Sequence, residues 1–359
     1  MAADNYDPFA RGPYPAGVRT IEAVDTTRNR VFPYEIWYPA APEYSGRDLA
    51  PETQDEFTVP PRPPHRQMSV RDARARSGTW PLVGFSHPSL FHRRSATYLC
   101  THLASHGYVV AALDHSEVVA PELAWREGAT EEQTKARIDE IISSRVPDIR
   151  VLLERLLEAT PFDPDIALEA NRVGIAGHSA GGWTALATPD YESRVRAVVA
   201  LAPAGASNPR PGILPVKLSF DWKHDVPTLL LAAENDAALP LAGMLEIYQR
   251  IPATKRMVIL RRADHMHFLD NVEREHESFR TAPLPPVLKA IQQEMLPSAE
   301  LTSGEKAHRF TRGLTTCHMD AFLRGRPEAR QFLEGDIEGE LAARGVEATF
   351  EPSGRFSRL

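Results

Sequence analysis

Short apolar runs bounded by turn residues alternate along this chain with stretches whose apolar positions recur every three or four residues. That alternation predicts a mostly parallel sheet with crossover helices. Val31–Tyr38 (VFPYEIWY) reads as an early antiparallel strand near an edge, where Pro33 is tolerated. Residues 39–79 are rich in proline and charge and read as a surface loop. From Trp80 the pattern sharpens. WPLVGFS (80–86) and YVVAALD (108–114) are buried strands, with a helix between them from Ser95 as N-cap to His106, stopped by Gly107. Residues 129–159 read as a helix with Ile149, Leu152, Leu153, Leu156 and Leu157 on one face, kinked or split at Pro147. Strands follow at 172–177, 195–203 and 227–233, then a helix at 241–250 and a last strand at 255–260. Helical patterns return at 307–323 and 327–344, with Pro327 as a first helical residue. Strands buried on both faces read as continuous apolar runs. The expectation is an α/β fold: one doubly wound, mostly parallel sheet of about eight strands in a single domain over 1–359.

Composition narrows the possibilities. Hydrophobic residues make up 42% and charged residues 25% of the 359 positions, an ordinary globular balance. No apolar run approaches the ~18 residues of a membrane span; the best, Val195–Ala206, is broken by Arg196 and Pro203. The opening MAADNYDPFARGPYP has no basic or apolar leader pattern, which predicts a cytoplasmic protein. A net charge of −7 argues against nucleic acid as partner. Cys100 and Cys317, the two cysteines, make no disulfide framework and sit in no metal-ligand spacing. The pattern leaves the oligomeric state open.

The chemistry concentrates at the expected carboxyl ends of the strands, where such sheets bind ligands. One strand runs into Gly177-His178-Ser179-Ala180-Gly181 and then an alanine-rich helix. A strand-to-helix turn this tight needs glycines two residues either side of the serine, and it pushes Ser179 Oγ above the sheet. A serine hydroxyl is a poor nucleophile until a base takes its proton, so an acid and a histidine must follow. The strand 227–233 ends in Glu234-Asn235-Asp236, which offers Asp236 first and Glu234 second. The strand 255–260 leads to Asp264-His265-Met266-His267, with His265 favoured as base and His267 as the alternative. Asp264 reads as a solvated loop charge. His-Met-His lacks a third convergent ligand, so no metal and no organic cofactor are expected. An oxyanion would be held by the backbone N–H groups of Ala180 and of Ser89, with Leu90 second to Ser89, because Pro88 in Ser86-His87-Pro88-Ser89-Leu90 has no N–H to donate. His87 reads as a brace for that loop, and Asp114-His115 as part of a pocket rim.

The elbow GHSAGG, the loop GFSHPS, the segment LASHGYVVAALDH and the late ADHMHF together resemble α/β-hydrolase esterases. Among these they are most similar to the bacterial platelet-activating-factor acetylhydrolase-like group, related to cutinase-like polyester hydrolases and filed near dienelactone hydrolases. The opening GPYPAGVRT…FPYEIWYPA resembles that group's N-terminal strands. The resemblance implies an α/β-hydrolase fold with Ser179 as nucleophile, Asp236 as acid, His265 as base, and Ser89 and Ala180 as oxyanion donors. It implies hydrolysis of small-molecule carboxylic esters of short to medium acyl chain, with Leu90, Phe91, Trp183 and Met266 lining an apolar acyl pocket. Dienelactone hydrolases carry cysteine at the elbow, so Ser179 departs from that reaction, and Pro88 departs from the usual His-Gly of the oxyanion loop. The segment 269–306 is long for its place and reads as a lid or as a charged surface insert. Amides, perhydrolysis, polyester or phthalate-type diesters, and a non-catalytic binding module on the same scaffold are the competing readings.

Overall fold

The structure, a computed structural model, describes residues 6–351 apart from 125, 127, 158–161 and 212. The chain forms two compact units, Arg11–Val173, and Gly174–Leu359 together with the described residues of Met1–Ala10.

The first unit holds β1 (Ala16–Asp25), β2 (Arg30–Pro39), β3 (Asp55–Phe57), β4 (His65–Gln67), β5 (Val70–Arg71), β6 (Gly78–Ser86), α1 (Thr97–Ser105), β7 (Val109–Leu113), α2 (Ser116–Val119) and α3 (Glu131–Leu157). It also holds the start of β8 (Ile166–His178). Within it the strand order is β6-β7-β2-β1-β5. β6 and β7 run parallel, and β2 is antiparallel to both β7 and β1. β2 is therefore near the β5 edge, as expected, but flanked on both sides and not itself an edge strand. Pro33 is tolerated because it falls one residue outside the β2–β7 ladder, which begins at Tyr34↔Leu113.

Several local expectations change here. α1 begins after Ala96, not Ser95, and has no side-chain cap. Pro147 lies inside an unbroken α3, so the helix is not split there, and the end expected at 158–159 lies outside the described residues. Residues 39–79, expected as surface loop, carry a small β3–β4 hairpin and β5. Their polar groups are used internally: Trp37 Nε1–H donates to Gln67 Oε1 at 2.6 Å, and Arg71 pairs with both Asp55 and the buried Glu35. Local composition misleads where polar side chains are buried in pairs.

The second unit holds the end of β8, then α4 (Ala180–Ala187), β9 (Val195–Leu201), β10 (Thr228–Ala233), α5 (Leu241–Arg250), β11 (Lys255–Leu260), α6 (Val272–Thr281), α7 (Pro286–Glu294), α8 (Gly304–Phe322), α9 (Pro327–Glu334), α10 (Ile337–Ala342) and β12 (Ala348–Glu351). Its strand order is β12-β11-β10-β9-β8. β9, β10 and β11 pair in parallel, with Leu230 level with Ala200 on one side and Met257 on the other. Every residue of β10 is buried, as a strand covered on both faces requires. β11 is not the last strand, since β12 returns antiparallel to it. The helix expected over 327–344 is two, because Gly335 and Asp336 intervene and the Asp336 side chain caps the second. Among the described residues no helix is long and apolar enough to cross a membrane.

Candidate functional site

β8 ends at His178 and α4 begins at Ala180, which leaves Ser179 to make the whole turn. Its φ of 58° and ψ of −118° lie in a region that costs a non-glycine residue about 1–3 kcal/mol. The surroundings hold it there. The Ser179 N–H donates to Leu201 O at 2.9 Å, and Ser179 O accepts from the N–H groups of Trp183 and Ala204, each at 3.0 Å. A Cβ on Gly182 would stand 2.9 Å from Pro203 Cα, so glycine is required one position beyond the five-residue motif as well. Gly182→Ala is expected to lower stability by about 1–3 kcal/mol in urea unfolding, because the neighbour that must yield is backbone. Ala180 opens α4, so its N–H has no acceptor within the helix and is free for a ligand's oxygen.

Two parallel strands deliver the partners. Asp236 follows β10; its Oδ1 accepts from the Leu239 N–H at 2.7 Å, which fixes the carboxylate. His265 opens the short helical turn His265–Phe268 after β11. His265 Nδ1–H donates to Asp236 Oδ2 at 2.7 Å, which leaves Nε2 bare as a proton acceptor. Burial pushes the His265 pKa down, but the Asp236 charge and hydrogen bond outweigh it, with Asp264 adding, and the net shift is upward. Glu234 is committed elsewhere: it accepts from the Arg262 N–H at 2.8 Å and pairs with Arg261 at 2.5 Å. Between Asp236 and Glu234, and between His265 and His267, the structure pairs Asp236 with His265.

Three residues given no such place by the sequence surround this pair. His178 is buried, and its ring packs 4.7 Å from that of His265 and 5.5 Å from Phe268; burial holds it neutral, well below the usual histidine range. Asp264, expected as a solvated charge, is 2% exposed and faces His267 and His276. A signal for it was present: Asp-x-x-His repeats the spacing of a capping box, and the structure makes both of that motif's bonds. His276, on α6, had no local signal. Trp183 and Met266 are buried, and Trp183 Nε1–H donates to Lys217 O at 2.7 Å.

The other candidates lie in the first unit. Ser89 is partly buried on the turn after β6. Leu90 takes a left-handed φ of 67° and leaves its side chain 82% exposed, so it packs against little within its own unit. Phe91 stacks with the Arg62 guanidinium at 4.9 Å. His87 braces the loop: its Nδ1–H donates to Pro88 O at 2.8 Å while its Nε2 accepts from the His115 N–H at 3.1 Å. Asp114 is bound to Arg93. His115 joins Ser86 Oγ at 2.7 Å and Asp148 Oδ2 at 3.1 Å, a second serine–histidine–aspartate array with none of the three exposed. Burial pushes the His115 pKa down to about 3.

A serine in a strained strand-to-helix elbow, backed by a hydrogen-bonded aspartate–histidine pair on successive parallel strands, defines the α/β-hydrolase fold. Residues 48–227, just over half of the sequence, match the family model for chlorophyllase, and the chain belongs to that family. Cutinase est1 of Thermobifida alba is 24% identical over 198 residues, which cover 55% of this chain and 56% of that protein. Chlorophyllase-1, chloroplastic, of Citrus unshiu is 24% identical over 178 residues, 50% of this chain and 48% of that protein. The chain thus spans about half the length of these relatives. A solved ferulic acid esterase from Streptomyces cinnamoneus shares the fold with a TM-score of 0.63, at 24% identity, over 97% of this chain and 98% of that one.

Proposed function

We propose that this protein is a serine hydrolase of carboxylic esters that works through an acyl-enzyme. The observation that carries the reading is the 2.7 Å bond from His265 Nδ1–H to Asp236, beside an elbow serine with positive φ. Ser179 Oγ attacks the ester carbonyl as its proton passes to His265 Nε2. Asp236 keeps the imidazole in the productive tautomer and stabilises the imidazolium. The Ala180 N–H stabilises the oxyanion. His265 then protonates the departing alkoxide, and a water that it activates releases the acid. The names of the relatives, a cutinase and a chlorophyllase, and of the ferulic acid esterase support ester hydrolysis. We assign short to medium acyl chains, with Trp183 and Met266 as apolar contacts.

A chain-length series of p-nitrophenyl esters, run beside amide substrates, tests the reading: turnover of esters and not amides supports it. The acid limb of kcat/KM gives a further check. His265 must be neutral to accept the proton, so activity falls as pH drops through its raised pKa. The limb is therefore expected above the ordinary histidine value of about 6.5. A limb at or below that value would contradict the pairing with Asp236.

A further inference from the structure

Asp264 precedes His265 in sequence but turns its carboxylate away from that ring. Oδ1 accepts from the Met266 N–H at 3.0 Å and lies 2.8 Å from His267 Nδ1; Oδ2 accepts from His276 Nδ1–H at 2.5 Å. His267 is tied at its far side, where Nε2–H donates to Thr302 O at 3.0 Å, and the Thr302 N–H donates back to Arg262 O at 2.6 Å. His276 belongs to a ten-residue helix outside the turn. One carboxylate therefore fastens the four-residue turn carrying His265 to α6 and, through His267, to the chain at Thr302.

We propose that Asp264 and His276 are positioning residues for the reaction, a buried clamp that sets the direction of the His265 imidazole toward Ser179. The proposal rests on the reading of Ser179, Asp236 and His265 as the hydrolytic triad. The turn is too short to fix the ring by its own packing. Within it the Leu269 N–H donates to Met266 O and the His267 N–H to Asp264 O, at 3.1 and 3.2 Å, and these bonds hold backbone but not ring direction. Ring direction is set by Asp236 at Nδ1, by the His178 ring beneath, and by where the turn itself stands, which Asp264 decides. Asp264 is no second catalytic acid, because both its oxygens are occupied and its side chain is 3% exposed. Burial disfavours its charge, yet His267 and His276 beside it outweigh that and hold the carboxyl far below its usual range, so the carboxylate is charged at neutral pH. A misplacement of about 1 Å at a reacting group can cost on the order of 10²-fold in rate.

Asp264→Asn keeps the shape and the acceptor for Met266 N–H but loses the charge. Its kcat on a p-nitrophenyl ester is expected to fall about 10- to 100-fold with KM within about two-fold. The acid limb of kcat/KM should move to lower pH, since of the groups whose charge or packing acts on His265 (Asp236, Asp264 and His178) one negative charge is gone. His276→Gln, which retains an N–H for Asp264, should keep more activity than His276→Ala, and this pair decides the matter where Asp264→Asn does not fold. Wild-type kcat and an unmoved acid limb in Asp264→Asn and His276→Ala, with a lower melting temperature as the sole change, would overturn the clamp. So would equal loss in the two His276 variants. Ser179→Ala in the same assay isolates the underlying reading: if it keeps turnover, the triad assignment has failed whatever the clamp variants do.

Discussion

Ser179→Ala is expected to turn over p-nitrophenyl esters about 10⁶-fold more slowly than the wild type, with circular dichroism and melting temperature hardly moved. The size follows from removing the nucleophile of a unit whose members act together, where losing one costs nearly as much as losing all. Stability is spared, or slightly improved, because Ser179 itself pays the conformational cost of its φ of 58° and alanine meets that turn no worse. The elbow is held by main-chain groups, the N–H to Leu201 O and the carbonyl to Trp183 and Ala204, and these survive the substitution. A variant that kept most of its turnover would remove Ser179 from the mechanism.

Asp236→Asn is expected to give the second large effect, a fall in kcat of about 10⁴ with little change in KM. The amide is nearly the shape of the carboxylate, so the turn made with Leu239 N–H persists. What changes is the proton. An asparagine NH₂ facing His265 Nδ1 donates, which drives the ring's proton onto Nε2 and leaves no lone pair to receive the serine proton. Loss of the negative charge also removes the main force raising the His265 pKa, so the residual activity should extend to lower pH. Titrating kcat/KM of the variant against pH separates this from a simple loss of fold. A residual activity above about a tenth of wild type would point to another carboxylate, and Glu234, bound to Arg261 and to the Arg262 N–H, is poorly placed to be it.

Much of this was legible in the sequence because it is written in local patterns. The runs 80–86, 227–233 and 255–260 are strands because each is a continuous apolar stretch with a turn behind it, and β11 falls on the residues its pattern marked. The elbow was readable from Gly177 and Gly181 around one serine, and the order of acid and histidine from the strands that carry them. What escaped depends on partners distant in the chain. β12 is short and partly exposed, so it has no apolar run and exists because β11 offers it an edge. The charged stretch 39–79 looked unstructured until Asp55, Gln67 and Arg71 met one another and Glu35. Asp264 looked like surface because its two histidines come from three and twelve residues on, and α6 must fold before the second arrives. Segment 269–306, open between lid and insert in the sequence, contains α6 and α7, and Ile291 packs on Ala237 and Ala238 just past Asp236. Its α6 bonds to Asp264 through His276, a contact no sequence spacing announced.

Ser86, His115 and Asp148 form the complete donor–acceptor chain of a charge relay, serine to histidine to aspartate, and yet all three are fully buried. The elbow hydroxyl of Ser179 sits on a partly exposed turn, whereas that of Ser86 is sealed from solvent. A hydroxyl that no carbonyl can approach is inert whatever base stands beside it, so the Ser86 array is expected to serve the fold and not the chemistry.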